Sequence, residues 1–215
     1  AVTPDGKLAV SASRDHTLKV WNLESGREVQ TLEGHSSWVH GVVLTHDGKR
    51  AISASDDNTL KVWDLESGRE MQTLEGHTSA VFGVAVTPDG RRVVSASADH
   101  TLKVWDLKSR LEGRMPKYHE SSVRGVSVTP DGRRAVTASA DYTVRVWDVE
   151  TGRQLQTLEG HSLSITGVAL TADGRQAVSA SHDKTLMVWD LENGLEVRTL
   201  KGHTDSVRGV ALTAD

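Results

Sequence analysis

One 42-residue unit is written five times in this chain. Trp21, Trp63, Trp105, Trp147 and Trp189 stand 42 residues apart, as do His35, His77, His119, His161 and His203. Asp15, Asp57, Asp99, Asp141 and Asp183 keep the same spacing. A fixed period in this range signals a repeat architecture, in which each unit is one small structural module. Residues that recur in every unit read as scaffold, so function is sought where the units differ. Asp215 falls at the phase of Asp5 and the first residue is not Met, so the chain reads as an excerpt of a longer protein or as an engineered chain.

Within one unit the pattern is that of short strands. Ala80–Thr87 is rich in β-branched residues, and Pro88-Asp89-Gly90 supplies turn chemistry. Arg92–Ser97 reads as a second strand, Thr101–Leu107 as a third, and Arg69–Glu75 of the neighbouring unit as a fourth. Four strands at about ten-residue spacing indicate an all-β assembly, and a repeat of this length matches one propeller blade. A single small sheet cannot bury both faces, so neighbouring blades must cover one another. The outermost strand is the more polar one, as Glu28, Gln30 and Glu33 show. Edge charges of this kind oppose unwanted strand pairing.

Two dipeptides make the pattern specific. Trp-Asp occurs at Trp63-Asp64, Trp105-Asp106, Trp147-Asp148 and Trp189-Asp190, with Trp21-Asn22 in the first unit. Gly-His occurs at 34–35, 76–77, 160–161 and 202–203, and the third unit has Tyr118-His119. The whole chain, 1–215, thereby resembles the WD-repeat family and is treated as one domain. The resemblance implies an all-β WD-repeat β-propeller, either a closed ring of five units or an arc of a larger, seven-bladed ring. Ring closure of the kind found in that family would have Ser206–Thr213 complete the first blade; an open arc would leave that segment unpaired with it. The resemblance also implies four hydrogen-bonded tetrads: His35, Ser53, Asp57 and Trp63; His77, Ser95, Asp99 and Trp105; His119, Thr137, Asp141 and Trp147; His161, Ser179, Asp183 and Trp189. The chemistry suits such a relay. Indole donates only, a hydroxyl donates and accepts, and neutral imidazole does one at each nitrogen. A Ser-His-Asp set also invites a hydrolase reading, but a catalytic triad is needed once per site and not once per blade. Histidines spread one per blade are likewise poor candidates for a shared metal.

Three columns vary freely between units. The third residue after the repeat His is Trp38, Ala80, Ser122, Ser164 or Ser206, and the fifth is His40, Phe82, Arg124, Thr166 or Arg208. The residue before the turn Asp is Arg14, Asp56, Ala98, Ala140 or His182. In WD-repeat proteins the matching positions line the channel rim on one face, where partners dock. Trp and Arg are the residue types that dominate binding hot spots. Trp38, His40, Phe82, Arg124 and Arg208 are therefore the leading contact candidates, followed by Arg14, Asp56 and His182. In the third unit Arg110 replaces a Gly and Pro116 a Leu, which predicts a distorted outer strand.

Composition narrows the remaining classes. A net charge of −4 argues against nucleic-acid binding, and the absence of Cys removes disulfides and thiolate metal sites. No phosphate loop, dinucleotide fingerprint or calcium loop is present, so no enzyme activity, cofactor or metal is expected. The pairs Lys49-Arg50, Arg91-Arg92 and Arg133-Arg134 follow the Asp-Gly turns and read as a solvated face with room for a weak anionic partner. No signal peptide or membrane-spanning run is seen, which points to the cytoplasm. The near-identity of the units resembles bacterial WD-repeat proteins, in which such arrays regulate an attached NTPase, kinase or protease. The expected role is a non-catalytic scaffold or sensor binding a protein or peptide, with self-association if the ring is incomplete.

Overall fold

The computed structural model describes residues 1–108, 112–113 and 119–213. Among them every regular element is a strand. The first sheet holds β1 (Leu8–Ala12), β2 (Leu18–Asn22) and β3 (Glu28–Leu32). The second holds β4 (Val39–Leu44), β5 (Arg50–Ser55), β6 (Leu60–Asp64) and β7 (Glu70–Leu74). The third holds β8 (Val81–Val86), β9 (Arg92–Ser97), β10 (Leu102–Asp106) and β11 (Glu112–Gly113). The fourth holds β12 (Val123–Val128), β13 (Arg134–Ser139), β14 (Thr143–Asp148) and β15 (Gln154–Glu159). The fifth holds β16 (Ile165–Leu170), β17 (Gln176–Ser181), β18 (Leu186–Asp190) and β19 (Leu195–Leu200). Each sheet is an antiparallel meander in chain order, the blade of a propeller. No helix among the described residues is long and apolar enough to cross a membrane.

The hairpins follow from turn chemistry. Gly90 takes φ of 64° at the Asp89-Gly90 turn, a conformation that costs a residue without Cβ little. The next hairpin in each blade uses the same left-handed region without glycine: His16, Asn58, His100, Tyr142 and Lys184 all have φ near 70°. Each follows the repeat Asp. In Asp57-Asn58 the Asp57 carboxylate accepts from the Thr59 backbone N–H at 3.0 Å and from its hydroxyl at 2.6 Å, which holds the turn.

The apolar core is divided into four, one part at each interface between blades. Val10, Leu18, Val20 and Leu32 of the first blade pack on Val39, Ala51, Trp63 and Leu65 of the second. The pattern repeats at the next three interfaces. A tryptophan is therefore buried by the preceding blade and not by its own. Burying each such aliphatic side chain contributes about 1.5–3 kcal/mol.

The inner strands β4, β8, β12 and β16 approach one another closely at a glycine column. A Cβ on Gly125 would lie 3.1 Å from the Cα of Gly167, whereas one on Gly167 would lie 3.9 Å from the Cα of Gly209.

Of the two outcomes, ring or arc, the structure shows an open arc. The first sheet has three strands, extended only by a bridge from Val2 to Ala9. Ser206–Thr213 forms no strand with it. The Val207 N–H instead donates to the Ser181 carbonyl at 3.0 Å, as Val39 donates to Ser13 at the same distance. The 42-residue period simply continues, and this segment takes the place of a sixth inner strand against the fifth blade. The outer face of that blade is bare: Leu200 is 41% exposed where Leu32, Leu74 and Leu158 are 1%, 4% and 1%. At the other end Trp21 is only partly buried and Leu23 is exposed.

In the third blade the described part of the outer strand is Glu112–Gly113, paired with β10. Arg110 and Pro116 lie outside the described residues.

Gly125→Ala pits a new methyl group against the backbone of Gly167 and Val168 in β16, and we expect a loss of about 1–3 kcal/mol. Gly167→Ala, with ordinary van der Waals space, serves as the control. Thermal denaturation of the two variants checks the ordering; equal melting temperatures would contradict it.

Candidate functional site

Each complete unit builds one buried relay. His35 comes from the loop before β4, Ser53 from β5, Asp57 from the following turn and Trp63 from β6. Trp63 Nε1–H donates to Ser53 Oγ at 2.9 Å, and Ser53 Oγ lies 2.7 Å from His35 Nε2. His35 Nδ1 lies 2.7 Å from Asp57 Oδ2, which also accepts from the Ser36 backbone N–H at 3.1 Å. The tautomer that satisfies all partners has the proton on Nδ1 and Ser53 donating to Nε2.

The same connections join His77, Ser95, Asp99 and Trp105. They recur in His119, Thr137, Asp141 and Trp147, and in His161, Ser179, Asp183 and Trp189. All four hydroxyl residues are fully buried. An oxygen that is occupied by an indole and sealed from solvent cannot attack a substrate, so this Ser-His-Asp geometry holds register instead. In the first unit Trp21 still donates to Ser11 at 2.9 Å. His203, without later strands to meet, is exposed. No three metal-ligating side chains converge among the described residues.

Burial pushes the imidazoles of His35 and His119 below their ordinary value, against the opposing pull of Asp57 and Asp141. For Asp57, Asp99, Asp141 and Asp183 burial acts upward, but hydrogen bonds from the neighbouring Thr and His outweigh it. Their carboxyls therefore sit below the usual range.

The variable columns occupy a different place. In β4, β8, β12 and β16 the register shifts between Val39 and Gly41, Val81 and Gly83, Val123 and Gly125, and Ile165 and Gly167. The residue between them is the extra member of a β-bulge: His40, Phe82, Arg124 or Thr166. A bulge leaves its extra residue unpaired and re-aims the side chain out of the regular pleat. Those side chains, with His182 and Arg208, line one open concavity of about 490 Å³. The His40 ring meets Phe82 edge-on, centroids 5.1 Å apart, and His40 Nε2 lies 2.5 Å from Asp56 Oδ1. The Thr166 hydroxyl is turned to backbone, 3.0 Å from the Ala180 carbonyl and 2.7 Å from that of Val207.

Trp38 and Arg14 form a second cluster. The Arg14 guanidinium carbon stands 4.4 Å above the Trp38 ring, a cation–π contact between the first and second units. Trp38 remains 41% exposed. Its carbonyl accepts from the Asp56 N–H at 2.9 Å, which ties this cluster to the His40–Asp56 pair.

The basic pairs after the Asp-Gly turns lie apart from this rim, and some of their charge is already used. Arg50 donates to the Gly90 carbonyl at 3.3 Å, and Arg134 to those of Leu191 and Gly174 at 3.1 and 3.2 Å. These are braces between blades. The motif that sequence reading passed over is the glycine after each bulge; the Val-x-Gly sequence was its signal.

Acid should weaken the relays. The unfolded chain protonates its His near 6.5 and its Asp near 3.8, while His35, His119 and the relay aspartates bind protons only at lower pH when folded. The unfolded state thus binds more protons on acidification, and stability falls. The denaturant midpoint is expected to drop as pH is lowered from about 7 to about 5, and again below about 4. A midpoint constant from neutral pH to about 5 would contradict this.

Comparison with known proteins gives the family. The profile described as WD domain, G-beta repeat matches residues 1–22, 26–64, 68–106, 114–148 and 152–190. Among curated proteins, Nuclear distribution protein PAC1 of Arthroderma otae is 54% identical over 37 residues, 17% of this chain and 8% of that protein. PAC1-2 of Postia placenta is 40% identical over 43 residues, 20% of this chain and 10% of the relative. PAC1-2 of Uncinocarpus reesii is 54% identical over 37 residues, again 17% and 8%. Each alignment spans about one unit and no more than a tenth of the relative. With five consecutive matches covering most of its length, the chain belongs to the WD-repeat family.

Proposed function

We propose that this chain is a non-catalytic platform for protein–protein interaction that takes its partner on the rim of one face of the arc. The observation that carries this reading is the convergence of the freely varying residues. His40, Phe82, Arg124, Thr166, His182 and Arg208 come from four sheets and the terminal segment, yet line one concavity. The scaffold positions are buried in relays, whereas the varying ones face outward from bulges. A rim that combines exposed Trp38 with arginines has the composition of a binding hot spot. The fungal relatives are named for nuclear distribution, but the aligned stretch is one blade, so what is shared is the scaffold.

Wild type and the Trp38→Ala/Phe82→Ala/Arg124→Ala variant should differ in a quantitative pull-down. The variant is expected to keep its fold and lose the wild-type partners. Recovery of the same partners at equal strength would reject the rim as the docking site.

A second reading concerns the chain's ends. The exposed Leu200 face of the fifth blade and the Trp21–Leu23 face of the first have the surfaces that mate inside the arc. Exposed apolar faces of this kind drive association. Sedimentation velocity should show concentration-dependent assembly that Leu200→Lys abolishes; a monomer at all concentrations would reject this second reading.

A further inference from the structure

We propose that the rim concavity is an acceptor for an anionic side chain, a carboxylate or phosphate, presented by a peptide segment of the partner. This rests on the docking reading above and adds the chemistry of what is bound. The argument begins with charge. The chain carries a net charge of −4, yet no carboxylate lines this concavity. Two arginines and two histidines do. Two other concavities of comparable size, about 320 and 390 Å³, are lined by several carboxylates each: Glu120, Asp141 and Glu159 in one, Asp89, Asp106 and Asp131 in the other. Those two also hold Arg145, or Arg91 and Arg92, beside the carboxylates, whereas here the arginines stand without one.

The cations there are also uncommitted. Arg14 is covered by Trp38 and His40 is paired with Asp56. Arg134 and Arg50 are spent on carbonyls of neighbouring blades. Among the described residues Arg124 and Arg208 have no ion-pair partner; Arg208 exerts only a field on Asp205. Guanidinium presents a planar fork of donors that matches a carboxylate or phosphate in two-point fashion. Arg124 sits on a bulge of β12, and Arg208 occupies the corresponding place in the terminal segment two units on, with Thr166 between them in the period. The His182 side chain comes from the loop after β17. The three approach one space from separate segments, so a single oxyanion can be met from several sides.

The other wall sets the second requirement. Phe82, held edge-on by His40, is the one large apolar group of the lining. A ligand that satisfies both walls carries an acidic group next to an apolar one. A nucleic-acid strand fits less well. It needs a track of phosphate contacts, and this site is one cup in an otherwise acidic chain.

The test uses three probes on the whole chain. One is an acetylated, amidated heptapeptide with a central Glu-Leu pair; the others replace its Glu by phosphoserine or by Gln. Binding is followed by fluorescence anisotropy against wild type, Arg124→Gln/Arg208→Gln and Phe82→Ala. One or both anionic peptides should bind wild type at least tenfold more tightly than the Gln peptide, and lose that margin in the double-Gln variant. Which of the two binds more tightly separates carboxylate from phosphate. Equal binding of all three peptides, no binding of either anionic peptide, or an unchanged margin in the double-Gln variant would overturn the proposal. So would tighter binding of oligouridylate than of either peptide. If Phe82→Ala weakens all three peptides alike while the double-Gln variant leaves their affinities unchanged, the docking site stands and the anionic chemistry fails.

Discussion

No blade in this protein buries its own tryptophan. Trp63, Trp105, Trp147 and Trp189 are each sealed by aliphatic residues of the unit before, and everything else in the structure depends on that mutual cover. A four-stranded sheet of this size has too little apolar area to fold alone, so stability resides at interfaces and accumulates with neighbours. The same dependence explains the two ends of the arc. Where a neighbour is missing, Trp21 is partly open and Leu200 is exposed, although the local sequence is almost that of the interior units.

The relay adds specificity to this cover. An indole N–H in a buried interface needs an acceptor, and leaving it without one costs about 1–3 kcal/mol. Ser or Thr supplies it, the imidazole takes the hydroxyl proton, and Asp fixes the ring from the following turn. Because the four groups come from two strands, a turn and a loop of one blade, only one register satisfies them all. The rim is the counterpart. With the scaffold fixed by buried groups, the bulged position on each inner strand is free to vary, and it varies from His to Phe, Arg and Thr without disturbing the sheet.

Much of this was legible in the sequence because the repeat displays its own constraints. The strands read from residues 80–107 match β8, β9 and β10 to within a residue at each end. The relays could be named because the resemblance to the WD-repeat family gives roles to an indole, hydroxyl, imidazole and carboxylate that recur in each unit. That His40, Phe82, Arg124 and Arg208 share one column was visible in the repeat, and the family resemblance implied a common rim for them, but their contacts could not be read. That Arg14 stacks on Trp38, or that His40 pairs with Asp56, depends on where the rim places long side chains. The left-handed turn residues were hidden as well, since Asn58, Tyr142 and Lys184 share no composition. Whether the ring closes stayed open in the sequence because it depends on the total arc, which no single unit encodes.

Native-state hydrogen exchange tests the dependence between blades most directly. If each sheet is stable only through its neighbours, amides of β5, β9 and β13 should exchange together and most slowly, through a common opening. Those of β1 and of β18 and β19 should exchange earlier. Five sets of amides exchanging independently, with the end blades as protected as the middle ones, would show that each sheet holds itself together and would contradict the account.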